Sequence, residues 1–279
     1  MITSASNSRI RNIQQLNTKG KARREQGLFV AEGLKMFQEA PREQIAEVYV
    51  SESFADEHGD SLRGLPWEMV EDRLFTSICD TKTPQGILCL LRRFSYKAED
   101  ILGGDSPCVL LLEDLQDPGN LGTIFRAGEG AGISGIWLSK GCVDVYNPKT
   151  IRSTMGSVYR VPFVYGESLE EAAGMLRERG IPLYAAHLKG TAFYDQEDYA
   201  SGCAFLIGNE GNGLTPEAAA LADRYIRIPM EGRLESLNAG VAASLLAYEA
   251  YRQRRHKKTL QVEEPQHHAF LQGGGERQR

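Results

Sequence analysis

Apolar positions along the chain change character near residue 107. Before it, short helical and strand-like patterns alternate. SNSRIRNIQQL carries Ile10, Ile13 and Leu16 at helical spacing behind a Ser/Asn start. LFVAEGLKMFQEA passes from a strand-like into a helical pattern, and IAEVYVS and GILCLLRRF read as strands, the second buried. The charged, Gly- and Pro-bearing SYKAEDILGGDSP predicts a linker over 96–106. From Pro107, CVLLLEDL is a continuous apolar run, as expected of a strand covered on both faces of a parallel sheet. GIWLS, VPFVY, PLYAAHL, CAFLI and RYIRIPM follow as strands, separated by loop–helix stretches. SLNAGVAASLLAYEAYRQRR predicts a long final helix. This alternation gives α/β with a mostly parallel sheet over 107–258. A small domain over 1–95 precedes it, and 259–279 reads as a disordered tail.

At 279 residues the chain is long enough for two domains. It shows no apolar run of membrane-spanning length and no signal-peptide pattern. The five cysteines form no C-x-x-C pair, which predicts reduced thiols and a cytoplasmic location rather than a disulfide framework or zinc site. The histidines are equally dispersed, and no metal is expected. The net charge of −5 argues against a nucleic-acid partner, but its distribution argues the other way. Residues 1–24 carry Arg9, Arg11, Lys19, Lys21, Arg23 and Arg24 and no acid, and RQRRHKK forms a second basic cluster. Local basic patches set phosphate attraction, although either cluster alone reads equally well as solvated surface.

Three loops carry candidate chemistry. LQDPGNLGTIFRAGEGAG follows a strand and offers Asn120, Gly122 and Arg126 where ligands sit in open α/β sheets. On spacing alone, Asn120 as a helix cap and Arg126 as a surface arginine explain it as well. The overlapping GAGISG matches G-x-G-x-x-G but follows a helix and opens a strand, so it reads as a helix C-cap and turn. The second loop, GNEGNGLT, has the phosphate-loop pattern with Leu214 in place of the lysine. Glu210 would repel a polyphosphate there, so a neutral or cationic ligand fits better. Thr215 and Pro216 open the next helix. The third, IPMEGRLESLNAG, leads into the last helix with Ser236 or Asn238 as caps, and its small residues permit close packing or ligand approach equally.

Together these loops resemble the SpoU (TrmH-like) branch of the SPOUT RNA methyltransferases. Asn120, Gly122, Arg126 and Ala127 match N-x-G-x-x-x-R-A, and LIGNEGNGL matches the second motif. Ile228, Pro229, Met230, Gly232, Ser236, Leu237 and Asn238 match the third. Ala239-Gly240 departs from the Val-Ser of many members. The segment with SRIRNIQQL, KARR and FVAEG resembles the ribosomal-protein-like α/β substrate-binding domain that precedes the catalytic domain in many members. The resemblance implies a trefoil knot and S-adenosylmethionine held by Gly208, Ile228 and Leu237, with Leu206, Asn209 and Met230 beside them. It also implies a homodimer, for which Val241, Leu245 and Tyr248 are face candidates or, equally, core. Methyl transfer to a ribose 2′-hydroxyl is the implied reaction, with ribosomal RNA of the large subunit preferred over transfer RNA. Arg126, Asn120, Glu210, Ser236 and Asn238 are the implied catalytic set. Arg9, Arg11, Lys21, Arg23, Arg24, Lys149 and Arg152, with Arg160, are the expected RNA contacts. A nucleotide-binding enzyme and a non-catalytic RNA-binding factor on the same scaffold are the rival readings.

Overall fold

A computed structural model describes residues 1–234 and 236–263, with side chains through residue 257. In the N-terminal part, α1 (Ser8–Thr18) and α2 (Gly20–Gln26) lead into β1 (Leu28–Glu32) and α3 (Leu34–Glu39). Then come β2 (Ile45–Ser51), α4 (Glu52–His58), β3 (Trp67–Val70), α5 (Asp72–Ile78) and β4 (Ile87–Arg92). The sheet order is β1-β4-β2-β3, with β4 antiparallel to both neighbours and β3 parallel to β2. The helical spacing of Ile10, Ile13 and Leu16 has its cause here, because all three are buried against Val30, Tyr49 and Leu88 on one face of this sheet.

The C-terminal part begins with α6 (Ala98–Leu102), β5 (Cys108–Leu112), α7 (Pro118–Ala131), β6 (Gly135–Leu138) and α8 (Pro148–Thr154). It continues through β7 (Phe163–Tyr165), α9 (Leu169–Glu178), β8 (Leu183–Ala186) and β9 (Ala192–Phe193). The last elements are β10 (Cys203–Ile207), α10 (Pro216–Ala219), β11 (Arg224–Arg227) and α11 (Ala239–Glu263). Its strands are all parallel, in the order β7-β6-β5-β10-β8-β11-β9. The apolar runs follow from burial on two faces. Cys108, Leu110, Leu112, Phe205 and Ile207 face α7 and α11. Val109, Leu111, Ala204 and Leu206 face α6, α9 and α10. Gly132, at φ 65°, caps α7 and leads to β6, as read for GAGISG.

Two expectations are corrected. The stretch expected to be a linker contains α6, whose Ile101 is fully buried and occupies the space that a side chain at Gly135 would need. The final helix also extends into the expected tail, through Glu263, and residues 264–279 lie outside the described residues. Along α11, Ala243, Leu246, Ala247 and Ala250 enter the core, whereas Val241, Leu245, Tyr248 and Tyr251 are exposed.

The two parts share a continuous core in which Phe29 packs on Tyr146. Arg23, 4% exposed, bonds Asp144 through Nε and Nη2 (2.9 and 2.8 Å) and the Leu16 carbonyl through Nη1 (2.6 Å). Tyr159 donates to the Met36 carbonyl, Arg160 pairs with Glu39 and Glu129, and Arg152 pairs with Asp80. A methyl group at Gly122 would collide with the Ser153 Cβ and lie 2.8 Å from its carbonyl carbon, so glycine sets the α7–α8 distance. Gly122→Ala is expected to destabilise the protein by about 1–3 kcal/mol through overpacking. A urea melt checks this as a lower midpoint at unchanged slope.

Candidate active site

The loops leaving the carboxyl ends of β5, β8, β10 and β11 gather at one edge of the sheet, where ligands bind in open α/β folds. Asp114, just past β5, sits in the left-handed region at φ 48°. Aspartate tolerates this better than most residues, and its contacts hold it there. Its N–H donates to Ser139 Oγ (2.9 Å), Ser139 Oγ donates to Asp114 Oδ1 (2.6 Å), and Asn209 Nδ2 donates to the Asp114 carbonyl (2.8 Å). Beyond this corner Asp117 caps α7 by accepting from Asn120 N–H (2.8 Å), and Pro118 takes the first helical position. Asp117 therefore does the capping that was open to Asn120, whose side chain is left for another use.

That use joins all three loops. Glu210 accepts from the N–H groups of Gln116 (3.0 Å) and Asp117 (2.9 Å) and from Asn120 Nδ2 (3.0 Å). Asn120 Oδ1 accepts from Asn238 Nδ2 (2.8 Å), and Asn238 Oδ1 accepts from Val241 N–H (3.2 Å), capping α11. Between the two caps named in advance for α11, the structure selects Asn238. Partial burial works against the Glu210 charge, but the bonds from Gln116, Asn120 and Asp117 prevail and hold its carboxyl below the usual range. Nearby, the buried Glu113 accepts from Thr215 N–H (2.9 Å) and Oγ1 (2.6 Å), while Thr215 caps α10.

Beside this chain lies a cavity of about 350 Å³. Gly208, Asn209, Glu210, Ile228, Met230, Ser236 and Leu237 line it, together with Ile207 and Leu214. Leu206 does not. It is fully buried on the opposite face of β10 among Val109, Leu111 and Leu183. Strand alternation gives the lining position to its neighbour Ile207. Asn209 shapes the loop by exchanging backbone bonds with Gly213 (3.1 and 2.9 Å) and accepting from Gly211 N–H at Oδ1 (2.9 Å). A side chain at Gly208 would collide with the Gly213–Leu214 backbone, so this glycine is required by the loop's own closure. Sequence reasoning missed His187 and Leu188 after β8 and Arg227 at the end of β11, which also line the cavity. The signal was their position at strand carboxyl ends.

Arg126 is exposed on α7, outside the cavity lining, and has no ion-pair partner among the described residues. Of the expected RNA contacts, Arg11, Lys21, Arg24 and Lys149 are exposed. Arg9 pairs with Glu68 and Arg152 with Asp80, all partly solvent-accessible. Arg23 is corrected, because its guanidinium is buried between the two parts of the chain and faces no solvent. Arg160 is likewise held between Glu39 and Glu129. No cluster of potential metal ligands occurs among the described residues, and no described helix is long and apolar enough to cross a membrane.

Comparison with known proteins decides the family. The profile of the SpoU rRNA Methylase family matches residues 107–248. This chain belongs to that family. An MRM3-like substrate binding domain matches residues 7–89. Among SpoU relatives, the 23S rRNA (guanosine(2553)-2'-O)-methyltransferase RlmP of Bacillus subtilis is 31% identical over 88% of this chain and 97% of its own length. An AdoMet-bound rRNA methyltransferase from Sinorhizobium meliloti superposes with a TM-score of 0.80 at 31% identity, covering 91% of this chain and 97% of that one. The SpoU methyltransferase AviRb from Streptomyces viridochromogenes, in complex with AdoMet, gives 0.82 at 26% identity, covering 89% and 98%.

A group whose folded-state pKa is depressed stabilises the fold above its unfolded pKa, and that stability is lost as pH falls through the folded value. Glu210→Gln is therefore expected to lower stability at neutral pH, with the difference from the unaltered protein shrinking below about pH 4.3. Parallel urea melts from neutral to acidic pH check this; a difference constant across that range would contradict it.

Proposed function

We propose that the protein transfers a methyl group from S-adenosylmethionine to a ribose 2′-hydroxyl of ribosomal RNA, with large-subunit RNA as the substrate class. The observation that carries this reading is the Glu210–Asn120–Asn238 chain, which ties the three family motifs together beside one cavity. The cofactor fits the cavity by its donor set. Ile207, Leu214, Ile228, Met230 and Leu237 offer apolar walls for a purine, and Leu214 stands where a polyphosphate would need a lysine. Gly208, Ile228 and Leu237 would hold it, with Asn209 and Met230 alongside. The solved relatives with bound AdoMet support this assignment.

The cofactor supplies a methyl group already activated on a sulfonium, so the protein's task is alignment and help with loss of the hydroxyl proton. Arg126, always protonated, binds a phosphate next to the target ribose and stabilises the developing alkoxide. Glu210 has both oxygens engaged by donors and resists protonation, so it orients Asn120 and does not take the proton. That proton leaves to an RNA phosphate or to water. Ser236 and Asn238 shape the ribose side of the site. Only RNA offers a 2′-hydroxyl.

The same reading gives residues 1–95 the task of holding RNA and 107–258 the chemistry, with β10, β11 and α11 tied in a trefoil knot. Knots are rare exceptions to chain topology. The exposed stripe of Val241, Leu245, Tyr248 and Tyr251 suits a second copy of the chain, and the same reading takes the protein as a cytoplasmic homodimer.

Incubation with labelled S-adenosylmethionine and unmethylated ribosomal RNA is expected to give label in 2′-O-methyl nucleotides, read as positions resistant to alkaline cleavage. No incorporation by the intact protein would overturn the function. Arg126→Ala is expected to lower kcat by about 10²–10³-fold, as for loss of a transition-state donor, with cofactor affinity unchanged. Replacing Arg24 and Lys149 together by alanine is expected to weaken RNA binding and flatten its salt dependence by about two slope units, measured by filter binding over a salt series.

A further inference from the structure

Two residues of the cavity lining outside the three motifs, Arg227 and His187, carry donors held in place by rings. The Arg227 guanidinium lies over the Phe193 ring, 4.5 Å from its centroid, and has no ion-pair partner among the described residues. His187 stacks on Tyr225, with centroids 5.0 Å apart and planes at 30°. Its Nδ1 accepts from the Lys189 N–H (3.0 Å), which places the ring proton on Nε2 and makes that nitrogen a donor. Tyr225 and Arg227 are two residues apart on β11, so they share one side of the strand, and the loop after β8 brings His187 to the same rim.

Charge in the cavity is uneven. Glu210 is the one carboxylate in the described lining, and its oxygens are engaged by three donors within the motif loops. Among the described residues, Arg227 is therefore a cation with no anion paired to it. Holding an arginine on an aromatic face restricts its rotamers before any ligand arrives, which lowers the entropy lost on binding.

The geometry points to a carboxylate subsite at this rim, in which Arg227 and the His187 Nε2–H hold the amino-acid carboxylate of the cofactor. This rests on the cofactor assignment above. It makes the site selective for a nucleoside carrying an amino-acid tail over the same nucleoside without one. The adenosine part is bound by the apolar walls and loop backbone, and the subsite recognises the tail separately.

Calorimetry on the full chain with two probes tests it. S-adenosylhomocysteine carries the carboxylate, and 5′-methylthioadenosine lacks the amino-acid portion. Arg227→Ala is expected to weaken S-adenosylhomocysteine about 10–100-fold, the effect of losing a charged hydrogen bond, and to leave 5′-methylthioadenosine within about twofold. Arg227→Lys should recover part of the loss. His187→Phe keeps a ring on Tyr225 and removes the Nε2 donor, and it should weaken S-adenosylhomocysteine alone by a smaller factor. Equal weakening of both probes would overturn the subsite and make Arg227 part of the cavity wall. Unchanged S-adenosylhomocysteine affinity with a raised KM for RNA would also overturn it and assign Arg227 to a phosphate. Failure of the unaltered protein to bind either probe would overturn the cofactor assignment itself, and the subsite with it.

Discussion

A carboxylate can only accept hydrogen bonds, and the order of the site follows from that restriction at Glu210. Asn120 must turn its amide nitrogen toward Glu210, so its oxygen faces Asn238. Asn238 must then spend its nitrogen on Asn120 and its oxygen on the start of α11. Each amide has one orientation that satisfies every partner. Three loops far apart in sequence are fixed relative to one another by polarity as well as by packing. The strained corner at Asp114 belongs to the same arrangement, because it delivers the Gln116 and Asp117 amides to Glu210. A glutamine at position 210 would preserve shape but remove the directional rule.

Small residues serve two demands at this edge of the sheet. Gly122 lets α7 approach α8, and Gly240 brings the start of α11 against Thr123 of α7. Gly208 lets its loop close on itself. These positions sit among the motif residues, yet each has a packing reason of its own. Ala239 and Ala242 line the cavity from the first turn of α11, so the two readings open for these small residues divide between neighbouring positions.

Much of this was legible in the chain. Continuous apolar runs marked a sheet covered on both sides, and the three motif loops fell where strands end. Periodicity could not assign individual side chains to a face. Leu206 and Ile207 are equally apolar, and only the register of β10 decides which one meets the cavity. Charge was harder still. Arg23 and Arg24 are identical in type and adjacent in sequence, yet one is buried on Asp144 and the other is exposed. Asp144 is over a hundred positions away, so no local pattern marks the difference. α6 was hidden because five residues are too few to show a helical period. His187 and Arg227 lay in strand-end positions with no pattern of their own.

The buried Arg23–Asp144 contact gives the small domain a further property. With Tyr159 on the Met36 carbonyl and Phe29 against Tyr146, it removes the freedom expected of two domains on a tether. These contacts act to hold the separation between the basic face of the first helices and Arg126. On the function proposed above, a folded RNA held at one end would present a single ribose to the other, and the protein would act as a fixed caliper. Selection of the target nucleotide would then rest on the distance between two points on a folded RNA surface rather than on local sequence.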